Sequence, residues 1–348
     1  MVKSIKKVSE SEKEYLIQIR PDELEWKEET EMLVNMNDVL IPARKQKYAV
    51  GLFNAVNMEL ARGIIAAAEE AQSPVIMGTA EVLFPYGPLE EVSYYLLPMA
   101  RKAGVPVVIH LDHGLKKETC LKALELGFSS IMYDCSTDSY EENVRKVKEM
   151  ADIAHSYGAT IEGELGHVGD NEGSAEGDSR QEDPSKYYTD PAMAKDFVDR
   201  TGIDALAIAV GTAHGAYKLP PKLDFDRIRT IARTVDVPLV LHGGSGLTNE
   251  DFSHAIREGI SKVNIFTDIN IAAVEGEFRQ FSSMSKGLTD LIPAAVEAVK
   301  QETMKKMRLF GSDGKASAKA GEVCSGDHSD EVRKIARLVA AELKKYQN

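Results

Sequence analysis

Cysteine is scarce in this chain. There are three in 348 residues, Cys120, Cys135 and Cys324, widely spaced and in no paired motif. That pattern excludes a disulfide framework and a zinc finger, and it predicts a protein of the reducing cytoplasm. Long apolar runs are missing too, and the opening Met-Val-Lys-Ser-Ile-Lys-Lys leads into charged residues, so neither a membrane span nor an export signal is expected. Positive charge is in short supply. Forty-two Lys and Arg against 55 Asp and Glu leave a net charge of −13 with no basic stripe, which argues against nucleic acid as a partner.

What is present is enough apolar residue, 43%, to bury a large core. Strand-like runs alternate with amphipathic helical ones, the signature of βα units and a parallel sheet. The pattern predicts strands over 49–54, 74–79, 105–110, 129–134, 160–165, 205–210, 238–242 and 262–267. Helices are expected between them, for example over 58–70, 118–126, 139–155 and 224–234, where apolar residues recur every three or four positions. Eight such units and the right-handed crossover rule predict an α/β fold, a TIM (β/α)8 barrel. An open doubly wound sheet is the alternative, but it gives no reason for chemistry at nearly every strand end.

Three segments fall outside the repeat. Residues 1–35, rich in Glu and Lys with a weak helical pattern near 24–33, read as a charged N-terminal arm on a barrel domain spanning 36–316. The polar loop 166–187 is long enough to suggest a functional lid. A polar linker over 311–321 leads to a final amphipathic helix over 330–346, so 317–348 reads as a C-terminal extension.

The chemistry sits at the strand ends. The third strand runs into Asp112 and His113, the fifth ends in Glu164, the sixth is followed by His214, and the seventh ends in His242. Three imidazoles from three strands leave an open position on a divalent ion, the usual form of a catalytic zinc site. One strand-end histidine alone would read as a packing group; three at one end of a barrel, with Asp112 adjoining, favour a metal. His110, inside a strand, reads as a core residue or one that orients a ligand. His155, His254 and His328 read as surface. Gly243-Gly-Ser-Gly246 and Asn264-Ile-Phe-Thr267 follow the seventh and eighth strands, where barrels often hold phosphate on backbone N–H groups, and Lys218 could add a cation.

Taken together, the motifs Gly51-Leu-Phe-Asn54, Ser73-Pro-Val-Ile76, His110-Leu-Asp-His-Gly114, Gly163-Glu-Leu-Gly166, Gly211-Thr-Ala-His-Gly215, Leu241-His-Gly-Gly-Ser-Gly246 and Arg308-Leu-Phe-Gly-Ser-Asp-Gly-Lys-Ala316 resemble the class II, metal-dependent ketose-bisphosphate aldolases. The resemblance runs from about Met36 to Ala316. It implies catalytic zinc on His113, His214 and His242, Asp112 as proton donor and acceptor, and Asp134 and Glu164 near a second cation position. It implies that Thr79, Gly215, Lys218, Gly243, Gly244, Ser245, Asn264 and Thr267 bind dihydroxyacetone phosphate and that Glu172 is a loop acid. It also implies a homodimer or homotetramer acting in carbohydrate metabolism, glycolysis included.

Two departures bear on the substrate. Where fructose-specific members carry aspartate two residues after the eighth-strand asparagine, and tagatose-specific members a small residue, this chain has Phe266, which cannot exchange those hydrogen bonds with a sugar hydroxyl. The loop 167–171 lacks the paired glycines common after the fifth strand. The expected reaction is retro-aldol cleavage of a ketose (bis)phosphate, in which a dication stabilises the enediolate and a carboxylic acid protonates the alkoxide in the reverse direction. A catalytically inactive sugar-phosphate-binding barrel and another metal-dependent isomerase or hydrolase are the competing readings.

Overall fold

The computed structural model describes residues 32–170, 188–214, 222–283 and 287–316; at 169, 170, 213 and 214 only the backbone is described. Eight parallel strands close a barrel: β1 (Val50–Asn54), β2 (Val75–Ala80), β3 (Val107–Gly114), β4 (Ser130–Tyr133), β5 (Thr160–Leu165), β7 (Ala205–Ile208), β9 (Leu239–Leu241) and β10 (Ile260–Ile265), with β10 hydrogen-bonded back to β1. The expected TIM barrel is what the chain forms, and each expected strand is present within a few residues. Two short strands absent from the sequence reading, β6 (Gly169–Asp170) and β8 (Ala213–His214), pair beyond the ends of β5 and β7.

Helices lie between the strands. They are α2 (Met58–Ala71), α3 (Leu89–Lys102), α4 (Lys117–Leu126), α5 (Tyr140–Ser156), α6 (Pro191–Thr201), α7 (Phe225–Thr234), α8 (Asn249–Glu258), α9 (Thr267–Ser283) and α10 (Leu288–Phe310). Their starts are written locally: Asn57, Asp190, Asp224 and Thr248 each turn a side-chain oxygen onto an otherwise unpaired N–H of the first turn.

The barrel interior is layered. An additional helix, α1 (Met36–Gln46), capped by Asn35, inserts Met36, Val39, Leu40 and Ala43 against Leu52, Ile76, Val108 and Val240. That apolar plug closes the lower half. Above it, the next inward positions on β1, β3 and β9, together with positions on β5 and β10, are polar and buried: Asn54, His110, Asp112, Glu162, Glu164, His242, Lys262 and Asn264. Strand alternation forces this grouping, because every second residue faces the same side.

Two differences from the sequence reading concern the ends. Residues 32–34 are extended, with Val107 N–H donating to Met32 O and Val34 N–H to Val107 O, so the part of the expected 24–33 helix that is described is not helical. The rest of the arm lies outside the described residues. Residues 311–316 are not a loose linker: Ser312 is fully buried and its Oγ accepts from Ser73 Oγ at 2.8 Å, and Gly314 and Ala316 donate to Ala71 and Gln72 at the end of α2. The final helix expected over 330–346 lies outside the described residues.

Candidate active site

The site begins with an irregularity in β3. Its pairing with β4 slips between Leu111 and Gly114, and His113 takes a φ of 44°, a left-handed conformation that costs a side-chain-bearing residue energy. Sequence reasoning expected Asp112 and His113 to share a pocket because the strand ends there. Instead the strand continues to Gly114, and the bulge does the work, turning two successive residues to one side.

Asp112 is held on both oxygens. Asn54 Nδ2 donates to Oδ2 at 2.7 Å, and Asn264 Nδ2 to Oδ1 at 2.9 Å. Burial pushes its pKa up, but the charges of His113, His242 and Lys262 outweigh that and hold it below the ordinary carboxylate value. Asp112 is therefore an oriented carboxylate at neutral pH. His113 Nε2 lies 4.0 Å from it and faces His242 Nδ1 at 2.7 Å, while His113 Nδ1 is fixed by Asp134 Oδ2 at 2.8 Å. Both imidazoles thus have one nitrogen tied back and the other turned into a common space, the arrangement that prepares a histidine to bind metal.

His242 is tied back by residues the sequence reading did not single out. Its Nε2 meets Glu162 Oε1 at 2.7 Å, and Glu162 Oε2 accepts from Lys262 Nζ at 2.7 Å, with all three side chains fully buried. A signal was available: Glu162 and Lys262 are charged residues inside strands that are otherwise apolar. His110 lies in the same layer, bonded to Ser130 Oγ at 2.8 Å. Burial, then the Lys262 charge, drives its pKa well below the usual imidazole value, so it is neutral.

The acids and imidazoles form two overlapping groups. Asp112, His113 and His242 offer donor atoms within 4.8 Å of one another, and so do His113, Asp134 and Glu164. Glu164 Oε2 is buried without a hydrogen-bond partner among the described residues, 3.7 Å from His242 Nδ1. Burial, then the Asp134 charge, pushes the Glu164 pKa up to about 8. Burial alone would lower His113, but Asp112, Asp134 and Glu164 raise it to about 10. The same field is what a dication would satisfy in place of that proton, and mixed nitrogen and oxygen donors suit one. Asp134 is shifted the other way: burial raises it, but His113 and the Ser136 N–H pull it well below its usual range.

The remaining candidates fall around the mouth. Thr79 is the penultimate residue of β2, with its buried Oγ1 unpartnered among the described residues. Gly243, at φ 64°, and Gly244 follow β9; a Cβ on Gly244 would lie 2.9 Å from Val263 Cγ1 and 3.0 Å from the Asn264 carbonyl, so only glycine fits. Ser245 is buried, and Thr267 opens α9 with one residue between it and β10. Phe266 is half-buried and packs on the outer core, yet shares the strand parity of Lys262 and Asn264. The backbone of His214 lies on β8, and its ring is not described; Glu172, Gly215 and Lys218 lie outside the described residues. His155, expected on the surface, meets Asp204 at 2.9 Å, and His254 stacks on Phe225; both are away from the mouth.

The sequence profile of fructose-bisphosphate aldolase class-II matches residues 34–315. The chain belongs to that family. Its members are aldehyde-lyases, and among its relatives a fructose-bisphosphate aldolase of Geobacillus stearothermophilus is 40% identical over 82% of this chain and 99% of its own length. The protein called YdjI of Escherichia coli K12 is 40% identical over 79% of this chain and 96% of its own. The crystal structure of the YdjI aldolase superposes with a TM-score of 0.72 at 37% identity, covering 82% of this chain and 99% of that one. A structure described as a fructose-1,6-bisphosphate aldolase candidate from Coccidioides immitis gives 0.71 at 30% identity, covering 81% and 98%. No described helix is long and apolar enough to cross a membrane.

Proposed function

We propose that this chain is a zinc-dependent aldolase that reversibly cleaves a ketose (bis)phosphate to dihydroxyacetone phosphate and an aldehyde. The observation that carries the reading is Asp112, ionised and clamped by Asn54 and Asn264 beside the paired imidazoles of His113 and His242. Those two histidines, with His214 by resemblance, would hold the zinc; Asp134 and Glu164 would serve a second cation. When bound, zinc supplies Lewis acidity toward the ketone oxygen, which lowers the cost of negative charge there.

The chain's own residues carry the proton traffic. In cleavage, Asp112 takes the proton of the hydroxyl next to the breaking bond; the carbon–carbon bond opens, an aldehyde leaves, and its electron pair passes to the carbon beside the ketone. A second acid then protonates that carbon, a role assigned by resemblance to Glu172. Condensation returns each proton by the same route. Gly243, Gly244, Ser245 and the start of α9 at Thr267 would take the phosphate on backbone N–H groups, with Gly215 and Lys218 completing it and Thr79, Asn264 and Phe266 lining the sugar.

Residues 36–316 are taken as the catalytic domain, with 1–35 and 317–348 as appendages. Buried free Cys120 and Cys135 suit a reducing cytoplasm. A homodimer or homotetramer has a natural contact on α9, where Ile271, Val274, Phe278 and Phe281 form an exposed apolar stripe, the two phenylalanines 69% and 67% exposed. The reaction is tested by coupled detection of dihydroxyacetone phosphate from a panel of ketose phosphates: release from at least one supports it, and release from none with metal present refutes it.

A further inference from the structure

At the opposite end of the barrel from Asp112 and His242, the C-terminal ends of α1, α7 and α8 line a half-open cavity of about 260 Å³. Arg44, Lys47, Arg229, Arg233 and Arg257 line it against one acid, Glu258. Glu258 is already committed to Arg229 at 2.6 Å, and Arg44 donates to the carbonyls of Ala232 and Val235. Lys47, Arg233 and Arg257 have no carboxylate within ion-pairing distance among the described residues.

Cations at helix C-termini need no ligand to explain them, since each helix end carries roughly half a negative charge. Three ends supply on the order of −1.5, and Glu258 one more. Arg229 also pairs with Asp226 at 2.6 Å, so the five cations exceed these charges by about 1.5, and they do so on a chain whose net charge is −13. The surplus is also concave rather than spread over a face. Lys47 adds a second indication: it closes α1 at φ 59°, a left-handed position that glycine takes freely, and here the chain keeps a cation instead.

We propose that this cavity is a second anion site, separate from the catalytic pocket, for a compact phosphate-bearing metabolite. Arginine guanidinium groups match phosphate oxygens two at a time. The volume falls just below the ~300–1,000 Å³ of sites for drug-sized ligands, which suits a phosphate on a short carbon skeleton rather than a nucleotide. The floor is Ile260 and Ser261, where β10 slips register against β9, and the same strand continues to Lys262 and Asn264 in the catalytic layer.

The test is calorimetric titration of inorganic phosphate into the metal-loaded full-length protein, its R233Q/R257Q variant and Lys47→Gly. The readout is binding and does not depend on the proposed activity. Expected is a component of phosphate binding that R233Q/R257Q weakens about tenfold or more, the scale of one charge-assisted hydrogen bond. Lys47→Gly should weaken the same component without lowering the melting temperature, while KM for any cleaved ketose phosphate stays unchanged in both. Identical isotherms in all three proteins, or a component reproduced in full by chloride at matched ionic strength, would overturn the proposal.

Discussion

Replacing Lys262 by methionine probes the buried chain that orients His242. The Nζ of Lys262 lies 2.7 Å from Glu162 Oε2, and neither side chain is exposed. At an effective dielectric of about 20, their attraction is about 6 kcal/mol. Burial of two ions costs several kcal/mol each, so the intact pair contributes little net stability, but removing one partner leaves a buried carboxylate uncompensated, typically a loss of about 3–5 kcal/mol. Lys262→Met should therefore show that loss in urea unfolding. Glu162 is also the group that fixes His242, so metal affinity should fall about 10–100-fold, as for other groups that orient a ligand. The double variant E162Q/K262M removes both charges and should recover much of the stability while metal affinity stays weak. A loss below ~1 kcal/mol for Lys262→Met, the scale of an exposed pair, would refute the reasoning.

Asp112→Asn keeps the contacts' shape but cannot carry a proton, so turnover should fall on the order of a hundredfold or more while metal stays bound; near-normal cleavage would move the role to Glu172. Phe266→Asp should shift the cleavage ratio toward fructose 1,6-bisphosphate, and strong fructose selectivity in the unaltered enzyme would show that the ring faces away from the sugar. The metal-free protein should lose stability as pH rises. His113, raised to about 10 from 6.5, stabilises fully below pH 6.5 and loses that contribution as pH climbs through 10, and Glu164, raised to about 8, adds a loss in the same direction from 4.5 upward. Melting temperatures of metal-free and metal-loaded protein across this range check it; a flat metal-free profile would contradict the assigned field.

Much of this was legible in the sequence because strand periodicity and strand-end chemistry are local signals. The eight strands, Asp112, His113 and His242 were all readable at single positions. What was not readable depends on register. The bulge that turns Asp112 and His113 together is a slip between β3 and β4, and a run such as Ile-His-Leu-Asp-His carries no mark of it. Glu162 and Lys262 become one ion pair only because β5 and β10 face each other across a closed barrel, 100 residues apart in sequence. The plug α1 was missed for a similar reason: its apolar face makes sense only against the inward residues of strands that follow it.

The most direct test of the metal-dependent aldolase assignment is retro-aldol turnover before and after metal removal, with His242→Ala alongside. Chelation should abolish release of dihydroxyacetone phosphate from the preferred ketose phosphate, about one equivalent of zinc per chain should restore it, and His242→Ala should neither hold zinc nor respond to it. Undiminished cleavage by the chelated protein, or full zinc retention by His242→Ala, would contradict the account.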